Sequence, residues 1–152
     1  MKKEYSLIAE RLAEQIHVGQ VDRAGVDYFK GHLSTVAANF EDDDIAKPVA
    51  YLHDSVEDQF LYGYHEVIEL LIMRGVDNKV AIEIGLVVDA MSKREYESYD
   101  EYLVRVKQNP IAVRVKLKDI AHNMDLSRLK KVSNKDLKRV EKYRKAVEFL
   151  ES

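Results

Sequence analysis

Apolar residues recurring every three or four positions, only six glycines and two prolines in 152 residues, and a series of helix-capping pairs together predict an all-α fold. Glycine and proline at this level leave little material for the turns of a β fold. Ile8, Leu12 and Ile16 outline a first helix over about 4–17. The next stripe is Phe29, Leu33, Val36, Ala37 and Phe40, and a third is Ile45, Val49, Leu52 and Val56. Each fits a 3.6-residue period and none alternates as a strand would. A stretch over about 64–73 stops at Gly75. Asp77 can cap the run through Val80, Ile84, Val87 and Met91. Ser98 with Glu101 is a capping-box pattern opening a short helix through Leu103 and Val106.

Asn109-Pro110 is a cap followed by a first-turn proline, and Val113, Leu117, Ile120 and Met124 form the stripe behind it. Ser133 and Asp136 start a last helix over about 134–151, striped by Leu137, Val140, Arg144, Val147 and Leu150. The count is about eight helices on short loops, with no repeat and no linker. The expectation is one compact helical bundle over residues 1–152.

Composition narrows the function classes. Lys and Arg number 24 against 27 Asp and Glu, a net charge of -3, which weighs against nonspecific nucleic-acid binding. The absence of cysteine excludes disulfides, thiolate metal sites and a Cys nucleophile. The opening MKKEYSLIAERLAEQ is charged where a secretory signal would be apolar. No apolar run approaches the ~18 residues of a membrane span. A cytoplasmic protein without a membrane partner is expected.

The densest polar set is Tyr-Leu-His-Asp-Ser-Val-Glu-Asp, residues 51–58. On a helix, His53, Asp54 and Glu57 share one side of two successive turns, and Asp58 extends the acidic edge. Carboxylates crowded beside the Leu52/Val56 face are costly unless a cation sits among them. A divalent metal would serve, because imidazole and carboxylate are its usual ligands. A solvated helix end is the alternative for the His-Asp pair alone. His32 lies at the edge of a different stripe, and Asp119 and Asn123 sit four apart on a third helix. Facing helices of this kind can each contribute a ligand.

His32, then His53-Asp54, then Asp119 resemble the H…HD…D pattern of HD-superfamily metal-dependent phosphohydrolases. His-Asp-Ser-Val-Glu-Asp followed about sixty residues on by Val-Lys-Leu-Lys-Asp-Ile-Ala-His-Asn-Met is similar to the hydrolase domain of RelA/SpoT-type guanosine-polyphosphate 3′-pyrophosphohydrolases. The segment from His17 to His32 looks like the same family, and the similarity keeps its order from about residue 10 to 130. The resemblance implies an all-α HD-type bundle holding one divalent ion, typically manganese, on His32, His53, Asp54 and Asp119. It implies that Glu57 and Asp58 orient or activate the attacking water. It places Asn123 near the nucleotide and Arg23 near the substrate phosphates. The chain departs from the pattern in having His32-Leu33 where the family has His-Pro. Gly25 stands seven residues before His32 instead of six, one residue more.

The residues themselves suit that chemistry. Glu57, one turn from His53 and Asp54, can accept a proton. Arg23, Lys30 and Lys116 are the candidate cations for a polyanionic substrate. The function expected is hydrolysis of a phosphorylated nucleotide, first of all removal of the 3′-pyrophosphate of guanosine tetra- or pentaphosphate. Attack on NADPH or a nucleoside triphosphate, or nucleotide binding without turnover, are the alternatives. His17 reads as a helix-end residue with a structural hydrogen bond, His65 as surface, and His122 as a support for its neighbour. The acids 41–44 read as a solvated helix start. Lys130, Lys131, Lys135, Lys138 and Arg139 read as a solvated basic edge.

Overall fold

The computed structural model describes residues 2–58 and 60–152. Among these residues eight α-helices follow one another: α1 Lys2–Ile16, α2 Ser34–Ala37, α3 Ala46–Leu52, α4 Tyr64–Met73, α5 Asn78–Ala90, α6 Tyr99–Lys107, α7 Pro110–Asn123 and α8 Asn134–Glu151. Among the described residues there is no strand; one antiparallel bridge, Val21 to Asp27, closes the loop after α1. No helix among them is long and apolar enough to cross a membrane. The all-α expectation is met.

The caps fall where the sequence puts them. Asp77 accepts from the amide of Lys79, and Asn109 accepts from Ile111 and Ala112 with Pro110 in the first turn. Ser98/Glu101 and Ser133/Asp136 both close reciprocal capping boxes. Each satisfies amides that the first helical turn leaves without partners. α4 ends on Gly75 at φ +101°, a left-handed position that costs glycine little. There the amide of Gly75 reaches Ile72 O and that of Val76 reaches Leu71 O, both at 3.0 Å.

The second stripe is not one regular helix. It opens as a π-helical turn, Phe29–Leu33, in which the Ser34 amide bonds five residues back to Phe29 O. It continues through α2 and tightens into a 3-10 turn, Ala38–Phe40. The loop before it packs against Gly31, where a Cβ would lie 2.8 Å from Asp22 Oδ2 and 2.9 Å from Val26 Cγ1. In the acidic run, Asp43 accepts from the amides of Ile45 and Ala46 and so starts α3, as a helix start should. The same carboxylate meets Arg114 of α7 at 2.8 Å.

The core is one cluster contributed by nearly every helix. Leu33, Leu52, Leu71, Ile84 and Ile120 are wholly buried, each contributing about 1.5–3 kcal/mol. At its centre lies α3, which is buried on almost every side and packs against α1, α2, α5 and α7. Its C-terminal end and the inner faces of α7 and the π turn meet at one place. That place holds His32, His53, Asp54 and Asp119.

Candidate metal centre

α3 stops at Leu52, so His53 is its C-cap, and residues 53–58 continue as turns and not as helix. This corrects the expectation of a helix through Glu57. Two side chains stop it: His53 Nδ1 takes the carbonyl of Ala50 at 2.7 Å, and Ser55 Oγ takes that of Leu52 at 2.7 Å. Side chains that bond the last carbonyls compete with the next helical turn. The acceptor at Ala50 also puts a proton on Nδ1 of His53 and aims Nε2 inward.

Three elements then converge. His32 comes from the π turn, His53 and Asp54 from the end of α3, and Asp119 from the middle of α7. His32 Nε2 lies 2.9 Å from Asp119 Oδ1 and 3.7 Å from Asp54 Oδ2. His53 Nε2 lies 3.3 Å from Asp119 Oδ1 and 3.2 Å from Asp54 Oδ2. One donor atom from each of the four residues falls within 4.8 Å of the other three. Both imidazoles commit Nδ1 outward and turn Nε2 onto the same carboxylates, the donor set that divalent ions take. The four residues fit a metal ion.

Burial makes the group's electrostatics strong. His32 and His53 are 2% exposed, Asp119 4% and Asp54 9%, so water does little to offset their charges. Burial alone would lower His53, but Asp54 and Asp119 outweigh it and hold the imidazole well above its ordinary value. Burial would raise Asp119, but Lys116 and His53 hold it well below the usual carboxylate range. Asp54 is lowered in the same way, chiefly by His53.

Neighbours fix the ligands. Tyr28 donates its hydroxyl to Asp54 Oδ2 at 2.5 Å, and burial followed by that carboxylate pushes the phenol far up. Asn123 donates to Asp119 Oδ1 at 3.2 Å. Lys116 meets Asp119 Oδ2 at 2.9 Å, and its side chain is only 12% exposed. Lys116 therefore serves the aspartate first, where the sequence suggested a substrate phosphate. His122 Nδ1 lies 2.8 Å from His32 Nδ1, in the supporting role expected of it. Burial and then the Arg128 guanidinium lower His122, which keeps it a neutral partner.

Glu57 and Asp58 stand at the rim. Both are exposed residues, yet the crowding of the Glu57 carboxyl by its neighbours lifts it to about 7, against the pull of Lys116 and with a push from Asp54. For Asp58 the same crowding and then Asp54 raise it, while the Gln20 amide opposes. Glu57 borders a cavity of about 410 Å³ that also receives Lys93 and Arg94.

On the other flank, His32, Tyr28 and Asn123 open onto a cavity of about 340 Å³ walled by Arg23, Arg128, Arg139 and Tyr143. Arg23 and Arg139 share Asp136 Oδ1 at 2.7 and 3.1 Å, and Arg128 lies 3.6 Å from Asp22. Three guanidiniums against two carboxylates leave this wall cationic. Sequence reasoning found Arg23 but read Arg139 as part of a solvated edge and did not single out Arg128. The contact that brings α8 here spans 113 residues, from Arg23 to Asp136, and has no local signal. Lys30 is exposed, with its backbone amide on Asp27, and does not line this cavity. His65 is exposed beside Tyr64, as expected of a surface residue. His17 is buried beyond α1 and carries the hydrogen bond expected of it, to Gln20.

Comparison of the chain with protein-family models and with curated proteins finds no match. The geometry of the His/Asp group and its flanks is what speaks for a function.

Proposed function

We propose that the chain is a metal-dependent phosphohydrolase of the HD type acting on a phosphorylated nucleotide. Its first substrate would be guanosine tetra- or pentaphosphate, cleaved at the 3′-pyrophosphate. The observation that carries this reading is the buried convergence of His32, His53, Asp54 and Asp119, with Glu57 at its rim and a guanidinium wall beside it. A divalent ion held by those four residues, manganese by the family resemblance, would acidify water and offset charge on phosphoryl oxygens.

The chain's own residues would supply the rest. Glu57, held near neutrality, can take a proton from the attacking water and return it to the leaving group. Asp58 orients the same water. Arg23, Arg128 and Arg139 face a polyanion in the cavity beside His32. Guanidiniums suit phosphate because their paired donors match its oxygens. Asn123 and Lys116 hold Asp119, and through it the ligand geometry.

The π turn supports the resemblance. The chain carries one residue more than the family between its glycine and its first histidine, and a π turn accommodates one more residue than an α turn.

The test is phosphate and pyrophosphate release from guanosine tetraphosphate, NADPH, nucleoside triphosphates and a cyclic dinucleotide, with manganese and with chelator. Manganese-dependent pyrophosphate release from guanosine tetraphosphate, lost in Asp54→Ala, is expected. Release from another nucleotide moves the substrate and keeps the site. Turnover that survives Asp54→Ala would sink the assignment.

A further inference from the structure

The turn after α1 reaches the acidic pair from behind. His17 is fully buried, and its Nδ1 lies 2.7 Å from Oε1 of Gln20. Gln20 donates from Nε2 to Asp58 Oδ2 at 3.1 Å. The other imidazole nitrogen of His17, Nε2, is buried without a hydrogen-bond partner, beside the rings of Tyr28 and Phe60 at 5.4 and 5.0 Å. A hydrocarbon ring would fill that space without stranding a nitrogen. What the imidazole adds is its contact with Gln20.

That contact decides which end of an amide faces a carboxylate. Glutamine can turn either its oxygen or its NH2 group toward a neighbour. A donor on Oε1 holds the oxygen toward His17 and leaves the NH2 group toward Asp58. The flipped amide would set its oxygen against the carboxylate. The donor has to be Nδ1–H, which makes Nε2 the bare nitrogen, the one that lacks a partner.

The backbone of the same turn serves the metal ligands. The Gln20 amide bonds His17 O at 3.0 Å, and Gln20 O accepts from the Tyr28 amide at 2.8 Å. Tyr28 then donates to Asp54. Gly19, at φ +83°, supplies the left-handed residue that closes the turn.

We propose that His17 and Gln20 are positioning residues for Asp58: the imidazole sets the amide, and the amide holds the carboxylate at the rim of the His/Asp group. The proposal rests on the phosphohydrolase reading, in which Asp58 works beside Glu57 on the attacking water. Neither His17 nor Gln20 contacts the reacting atoms.

Two measurements on the full chain test it. Long-range ¹⁵N–¹H spectra report the tautomer of His17; Nδ1–H is expected, and Nε2–H would overturn the proposal whatever the activity. Steady-state kinetics on the nucleotide that the panel yields then compare Gln20→Leu, His17→Leu and His17→Asn. Both leucine variants should lose about tenfold or more in kcat, with KM and manganese affinity unchanged. His17→Asn, whose amide nitrogen stands where Nδ1 stood, should recover most of the loss. A purely packing role predicts the opposite order, with leucine the better replacement. Wild-type turnover with unchanged leucine variants would remove this proposal alone. A wild-type protein inert on the whole panel would remove the phosphohydrolase reading and with it the catalytic role of Asp58.

Discussion

His32 and His53, twenty-one positions apart, direct their Nε2 atoms to a single oxygen, Asp119 Oδ1, at 2.9 and 3.3 Å. Two imidazole nitrogens converging on one carboxylate in a buried site make a pocket for a cation. Without one, Asp54 and Asp119 hold His53 well above its ordinary value, and Lys116 meets Asp119 Oδ2 at 2.9 Å.

Metal should therefore stabilise the fold. A ligand that binds only the folded chain adds about 2.7 kcal/mol at a concentration a hundred times its Kd. Manganese is expected to raise Tm in thermal unfolding and chelator to reverse it, with Asp54→Asn abolishing the shift. Asp54 is the better position to vary than Asp119. Asp119 also neutralises Lys116, and removing it would strand a nearly buried ammonium at a cost of about 3–5 kcal/mol. A manganese shift undiminished in Asp54→Asn would argue against this ligand set.

Glu57 makes stability depend on pH in a definite direction. Its folded carboxyl titrates at about 7, against an ordinary 4.5. The folded state thus binds the proton more tightly, and stability from this group is full below pH 4.5 and lost as pH rises through about 7. Glu57→Gln should match the wild type at low pH and exceed it above neutrality in urea unfolding with chelator present. Activity should run the other way: Glu57→Gln, which cannot take a proton, should lose turnover at every pH. Equal unfolding midpoints at pH 8.5 would show that the carboxyl carries no such cost.

Among the described residues two ion pairs hold the loop between α5 and α6: Arg94 with Asp89 at 2.8 Å, and Arg105 with Glu97. Arg105 donates Nε to Glu97 Oε2 at 2.5 Å and Nη2 to Glu97 Oε1 at 2.8 Å, and it also reaches the carbonyl of Ser92. The Arg105 contact, with the Arg94 amide, lowers Glu97 to about 2. A lowered carboxyl gives stability that is present above pH 4.5 and is lost as pH falls through about 2. Glu97→Gln should lower the urea midpoint at pH 7, with the gap to wild type closing toward pH 2.

What the sequence made legible was local. Ser98 with Glu101, Ser133 with Asp136 and Asn109 with Pro110 act within one helical turn, and each cap forms where its residues stand. Polar residues beside the apolar stripes marked where to look, and the set His32, His53, Asp54 and Asp119 came from the resemblance in motif and spacing. The end of α3 was hidden, since periodicity through Val56 continues past the point where His53 and Ser55 take the carbonyls. Arg139 was hidden too. Its place in the site depends on where α8 lands, set by pairings such as Arg23 with Asp136 that no short window contains.

Gly85 in the middle of α5 tests the packing that carries α4. A glycine there costs about 1 kcal/mol of helix propensity relative to alanine, so alanine would stabilise an isolated helix. In the bundle the added Cβ would run into the side chain of Ile68 and lie 3.3 Å from the carbonyl oxygen of Tyr64. The Ile68 side chain can move, but the Tyr64 carbonyl is backbone in the first turn of α4. Overpacking of this kind costs about 1–3 kcal/mol, which outweighs the propensity gain. Gly85→Ala should be destabilised by about 1 kcal/mol net in urea unfolding. Ile68→Val in the same chain should recover part of that loss. A Gly85→Ala protein more stable than wild type would mean that α4 and α5 stand too far apart for Gly85 to touch Ile68.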